Sequence, residues 1–218
     1  MTSIEIIKNS TIEFKKNCIG LVIATTPFII GVVLVQFFAI QSLKVYSGYG
    51  LVFLTTLIGL ILNSLITLVG LKYYLKQKSI AVELTKSKVF TYCFATLYIS
   101  VASSLGYLFF VVPGILILCI SFLYPIFIIK DGQGPIQAIG SSIELVKGHF
   151  KLILLVYLGL EFSIRAIKYI ISSLFMFIAE PGQIFILSIN FISSLLLLIY
   201  IPFMFVMYQE LTQCQNKS

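Results

Sequence analysis

Charge is what this sequence has least of. Charged residues fill 11% of its 218 positions, against about a quarter in a soluble domain. Hydrophobic residues fill 59%, and mean hydropathy is +1.07. Such a chain cannot cover itself with water-compatible side chains, so lipid must surround most of it. Histidine occurs once, as His149, which excludes a His-rich metal site. The eight acids are scattered, so the paired carboxylates of acid–base chemistry are missing. Four cysteines, Cys18, Cys93, Cys119 and Cys214, form no CxxC pair and imply no disulfide framework. Gly48-Tyr49-Gly50 and Gly132-Gln133-Gly134 lack the third glycine and the strand–helix context of a dinucleotide loop. Neither a P-loop nor a serine elbow is present. No catalytic residue, cofactor or metal is therefore expected. Tryptophan is absent, and tyrosines near the ends of apolar runs (Tyr46, Tyr49, Tyr73, Tyr74, Tyr107, Tyr208) are left to form the interfacial belt.

What the chain does have is long apolar runs. A span needs roughly 20 residues, so an all-α, polytopic, single-domain protein of about six spans is expected. They fall at about 18–40, 51–71, 89–111, 115–130, 152–178 and 183–208. Before them, Ile4, Ile7, Thr11 and Phe14 recur at helical spacing, which predicts a short interfacial helix over 1–17. A signal peptide is the rival, but the following run is too long and lacks a small-x-small cleavage site. Residues 89–129 carry no charge and are too long for one crossing, so they must fold back. Pro113-Gly114 is the expected hairpin turn, with a partly re-entrant 105–130 as the alternative. Pro135 then opens a helix on which Ile136, Ile139, Ile143 and Val146 share a face. This amphipathic 135–150 segment should lie in the headgroup plane or dock under the bundle.

Net charge is +7. The lysines stand between apolar runs, which points to topology and to anionic lipid headgroups; no basic segment is long enough to imply nucleic acid. With the N-terminus inside, the inner segments hold Lys8, Lys15, Lys16, Lys72, Lys76, Lys78, Lys86, Lys88, Lys130, Lys147, Lys151 and Lys217. The outer turns hold Lys44 alone. This bias predicts that both termini are cytoplasmic.

One constellation lies within a span. Glu161, Arg165, Lys168 and Ser172 share a narrow helical stripe, with Tyr157 at its edge. Glu161 stands about 15 Å beyond Lys151 on a helix, near the bilayer midplane. Glu161 and Arg165 have the i, i+4 pairing distance. An unpaired charge at that depth costs on the order of 3 kcal/mol, so the stripe should face the bundle, with Lys168 long enough to reach the outer headgroups instead. Asn190, on a stripe with Gln183 and Ser194, could reach it from the last span. The stripe is either a polar pathway or headgroup site, or an ion pair that fixes helix register.

The segment VVPGILILCISFLYPIFIIKDGQGPIQAIGSSIELVKGHFKLILL resembles the signature of the YciC-like bacterial membrane proteins. These are related to the membrane domain of some glycerophosphoryl diester phosphodiesterases. The matching positions are Pro113-Gly114-Ile115, Pro125, Asp131-Gly132, Ala138, Ser141-Ser142, Leu145, Lys147 and Phe150. The resemblance is strongest over 111–155 and covers the rest only by hydropathy. It implies a multi-pass protein of the bacterial inner membrane with a role in envelope or lipid upkeep. It does not imply phosphodiesterase chemistry, which belongs to a separate soluble domain.

Two functions stay open. One is a non-enzymatic membrane protein assisting envelope or lipid homeostasis, with a membrane-protein partner or a second copy of itself. The other is a small transporter or permease subunit using the polar stripe between the fifth and sixth spans.

Overall fold

A computed structural model describes residues 3–45, 49–109, 111–178 and 183–215. These residues are helical almost throughout, and no strand occurs among them. The elements are α1 (Ser3–Val45), α2 (Tyr49–Gln77), α3 (Lys86–Phe109), α4 (Val111–Ile120), α5 (Tyr124–Asp131), α6 (Pro135–Lys147), α7 (Phe150–Ile178), α8 (Gln183–Leu197) and α9 (Tyr200–Gln215). Among the described residues, five stretches are long and apolar enough to cross a membrane: Ile4–Phe38, Leu57–Gln77, Lys86–Phe109, Val112–Asp131 and Phe191–Cys214. The chain is an all-α polytopic membrane protein. The expected span at 152–178 is helical but is not among the five; Glu161, Arg165 and Lys168 crowd its middle with charge. Large apolar side chains face outward along the bundle, among them Phe90, Leu108, Phe109 and Phe162, each more than 70% exposed. In water such a surface would drive aggregation; in acyl chains it is satisfied.

α1 is the axis, packing along α2, α8 and α9. It corrects the expectation of a separate interfacial helix, because 1–17 and 18–40 do not part. No glycine or proline separates Ser3 from Asn17, so the helix has no reason to stop. Its buried face is also not the predicted one. Ile6, Ser10, Leu21, Thr25, Ile29 and Val32 are buried, whereas Ile4 and Ile7 point outward and Phe14 is only partly covered. A helix apolar on several sides has no single preferred face, so its neighbours choose it.

The α3–α4 hairpin exists, but Pro113-Gly114 is not its corner. Both residues lie in the first turn of α4, where the missing proline N–H costs nothing. Gly114 serves packing instead. A Cβ on Gly106 would stand 2.8 Å from the Gly114 amide nitrogen, and one on Gly114 would stand 2.6 Å from the Tyr107 ring. The two backbones touch as small-residue helix pairs do in lipid.

The expected spans at 115–130 and 183–208 are each two helices. α4 and α5 part at Ser121–Leu123, just before Pro125; α8 and α9 part at Leu198–Ile199, just before Pro202. Around each break the bonds tighten to i→i−3, as in Tyr124 N–H to Ser121 C=O and Ile201 N–H to Leu198 C=O. The first break strands Ile120 C=O and Leu123 N–H. Ser142, on α6 and fully buried, serves both: its hydroxyl donates to Ile120 C=O at 2.8 Å and accepts from Leu123 N–H at 3.2 Å.

That hydroxyl also explains how α6 sits. Its buried face is Ala138, Ser142, Leu145 and Val146. The predicted ridge of Ile136, Ile139 and Ile143 is displaced to the flank: Ile136 is 79% exposed, Ile143 is exposed and Ile139 is half-buried. The small residues Ala138 and Ser142 allow a close approach that a row of isoleucines would prevent.

Polar links gather the basic segments at one end of the bundle. Glu13 on α1 receives Lys78 Nζ at 2.7 Å and the Tyr74 hydroxyl at 3.0 Å. Lys88 Nζ caps α5 at Ile129 C=O, 2.9 Å away, and Lys130 Nζ meets the Tyr208 hydroxyl at 2.9 Å. Tyr74 and Tyr208 are thus buried between helices and do not form a lipid-facing belt. Each hydroxyl instead meets a charged side chain at the helix ends, Tyr74 that of the partly buried Glu13 and Tyr208 that of the exposed Lys130.

Candidate functional site

Between α3, the α4/α5 break, α7 and the α8/α9 break lies a cavity of about 350 Å³. Each wall follows from a local rule. α3 presents Tyr92, Thr96, Ile99 and Ser100, which recur at three- and four-residue spacing and so share one face. The α4/α5 break turns Ser121, Phe122, Tyr124 and Pro125 toward the space. α7 presents Tyr157, Glu161, Ile164 and Lys168, and α8/α9 presents Ser193, Leu197, Tyr200 and Met204. A second cavity of about 480 Å³ shares Thr67, Tyr92, Thr96 and Leu197 with the first and adds Gln36, Asn63 and Ser64. Gln36 Oε1 on that wall is buried without a hydrogen-bond partner.

Glu161 is the centre of the polar cluster. Tyr200 donates its hydroxyl to Glu161 Oε2, across the α7–α9 gap. Arg165 Nε donates to Oε1 at 2.9 Å, and Arg165 Nη2 is 2.8 Å from the same oxygen. Both carboxylate oxygens are therefore engaged, which offsets the cost of holding a carboxylate partly buried. Phe122 bridges the cluster, with ring centroids 5.5 Å from Tyr157 and 6.1 Å from Tyr200, both edge-on. On the facing wall Tyr92 and Tyr124 stack at 5.6 Å, and the Tyr124 hydroxyl shares a 2.7 Å hydrogen bond with Thr96 Oγ1.

The predicted stripe is only partly gathered here. Glu161 and Lys168 line the cavity. Arg165 does not: its side chain is 72% exposed, and it reaches Glu161 by folding back along the outside of α7. The expectation that the whole stripe faces the bundle is corrected, because Arg165 lies on the outer flank, where only its reach keeps it paired. Ser172 is partly buried on α7 but is not on the cavity wall. Asn190 is on α8, and its side chain lies outside the described residues, as does that of Gln183. Ser194 is buried, while its neighbour Ser193 reaches the cavity. Tyr200, the partner that fixes Glu161, did not stand out in the sequence. A signal exists in retrospect: Ser193, Leu197, Tyr200 and Met204 keep one helical face. Among the described residues no three His, Cys, Asp or Glu side chains come together to hold a metal ion.

No protein-family model matches the chain, and neither does any curated protein or solved structure.

Proposed function

We propose that this is a non-enzymatic protein of the bacterial inner membrane, with both termini in the cytoplasm, which holds a small amphiphilic molecule in the cavity beside Glu161. Through that molecule it serves lipid or envelope upkeep, the role its YciC-like resemblance implies. The single observation that carries the reading is the cavity itself. It lies among membrane-depth helices, its wall is mostly apolar, and a few polar groups converge on it, which is how small-molecule sites are built. The orphaned Gln36 Oε1 next door supports the same view, since a buried acceptor without a donor is costly unless a ligand or water supplies one.

A permease is the second reading, and one observation favours it. The two interrupted helices, α4/α5 and α8/α9, both meet the cavity at their breaks, as discontinuous helices do around transporter substrate sites.

The test is native mass spectrometry of the protein released gently from its own membranes. The wild-type protein should carry a bound amphiphile, and Ser100→Phe, which fills the cavity, should lose it while keeping its thermal transition. Equal occupancy in the two proteins would refute the reading.

A further inference from the structure

Lys168 is the cation that the Glu161 cluster leaves over. It stands on the cavity wall two turns beyond Glu161, partly buried. Among the described residues its ammonium has no ion pair or hydrogen bond. Glu161 makes no hydrogen bond to it: Arg165 is on Oε1 and Tyr200 is on Oε2. One acid therefore stands with two bases on α7, and Lys168 is the base that lines the cavity, whereas Arg165 is exposed on the outer flank. The surrounding wall is apolar at Ile99, Leu118 and Ile164, with the hydroxyls of Ser100 and Ser193 also on it.

We propose that the occupant of this cavity is an amphiphilic anion, whose carboxylate or phosphate group pairs with Lys168 and whose apolar chain lies against Ile99, Leu118 and Ile164. This rests on the reading of the cavity as a binding site. A lone ammonium in a low-dielectric space is unfavourable, and an incoming anion converts that cost into affinity. A small hydrated anion does not suit the wall, whose accessible surface is mostly carbon. A cation does not suit it either, since the carboxylate is already satisfied. A neutral amphiphile would fit the carbon surface but leave Lys168 unpaired.

The anion can come from the bilayer, as an anionic phospholipid, or from a free fatty acid. In phosphatidylcholine nanodiscs the protein is offered diazirine-bearing palmitic acid, the matching diazirine-bearing hexadecanol, or diazirine-bearing phosphatidylglycerol, and crosslinks are mapped by mass spectrometry. Palmitic acid should be captured on the cavity wall at least tenfold more than hexadecanol. Lys168→Gln should reduce its capture to the alcohol's, and Lys168→Arg should retain it. Millimolar inorganic phosphate should not displace it. Capture of phosphatidylglycerol at the same residues assigns the source to the bilayer; capture of the fatty acid alone assigns it to a free amphiphile. Equal capture of acid and alcohol, or an unaffected Lys168→Gln, overturns the anion pairing while leaving the cavity reading intact. Displacement by inorganic phosphate overturns the apolar-chain part. Absence of any probe from the wall overturns both the pairing and the cavity reading.

Discussion

At the scale of single residues, the α7 charges divide by direction, not by sign. Glu161 turns inward to Tyr200, and Arg165 stays outside and reaches back. Their i, i+4 spacing suggests a symmetric pair whose members could trade places, and the fold makes that trade unequal. The inward position must hold an acceptor, because the Tyr200 hydroxyl donates to it. Tyr200→Phe should cost about 1–3 kcal/mol, the range for removing a hydrogen bond to a buried charged group, read as a lowered unfolding midpoint in detergent. The swap Glu161→Arg with Arg165→Glu should fail to restore the stability lost in either single change. Full recovery in the swap would mean that the pair only fixes helix register.

At the scale of elements, two crossings are built from broken helices, and each break sits just before a proline. Pro125 removes one donor, and the turn strands a carbonyl and an amide; lipid offers neither group a partner. Ser142 from α6 supplies both in one hydroxyl. α6 is thus a brace on the turn whose Ser121 and Phe122 line the cavity. Ser142→Ala should lower stability by about 1–3 kcal/mol through unsatisfied buried groups, whereas Ser141→Ala, one residue away, should stay within about 0.5 kcal/mol. Chemical or thermal unfolding of the two variants side by side checks this. Pro125 and Pro202 stand beside the two breaks, but a proline alone does not announce one, since Pro27 lies inside the unbroken α1. The serine did not stand apart from its neighbour, because a hydroxyl gives no sign of which of two adjacent serines faces inward.

At the scale of the whole molecule, the lysine bias along the chain becomes a geometric end. Glu13–Lys78 ties the N-terminal half of α1 to the end of α2, Lys88–Ile129 ties the start of α3 to the end of α5, and Lys130–Tyr208 ties α5 to α9. Cys214, exposed near the end of α9, belongs to that end, while Cys119 is buried. If the basic end faces the cytoplasm, a membrane-impermeant maleimide added to intact spheroplasts should leave Cys214 unlabelled. It should label Cys214 once the membrane is opened. Cys119 should stay unlabelled in both. Labelling of Cys214 before permeabilisation would reverse the orientation.

The sequence by itself determined the solvent, the helical class and the presence of an acid with a base one turn away. These depend on composition, run length and local backbone sterics, which need no neighbour to act. Only the tertiary structure decided which face of α1 and α6 is buried, that Gly106 and Gly114 form a contact and not a turn, and that Glu161 looks in while Arg165 looks out. The reason is physical: in a helix apolar on most sides, lipid and protein interior are nearly equivalent surroundings. Rotation is then set by where small residues let backbones meet and where buried hydroxyls find partners, and those partners lie tens of residues away along the chain.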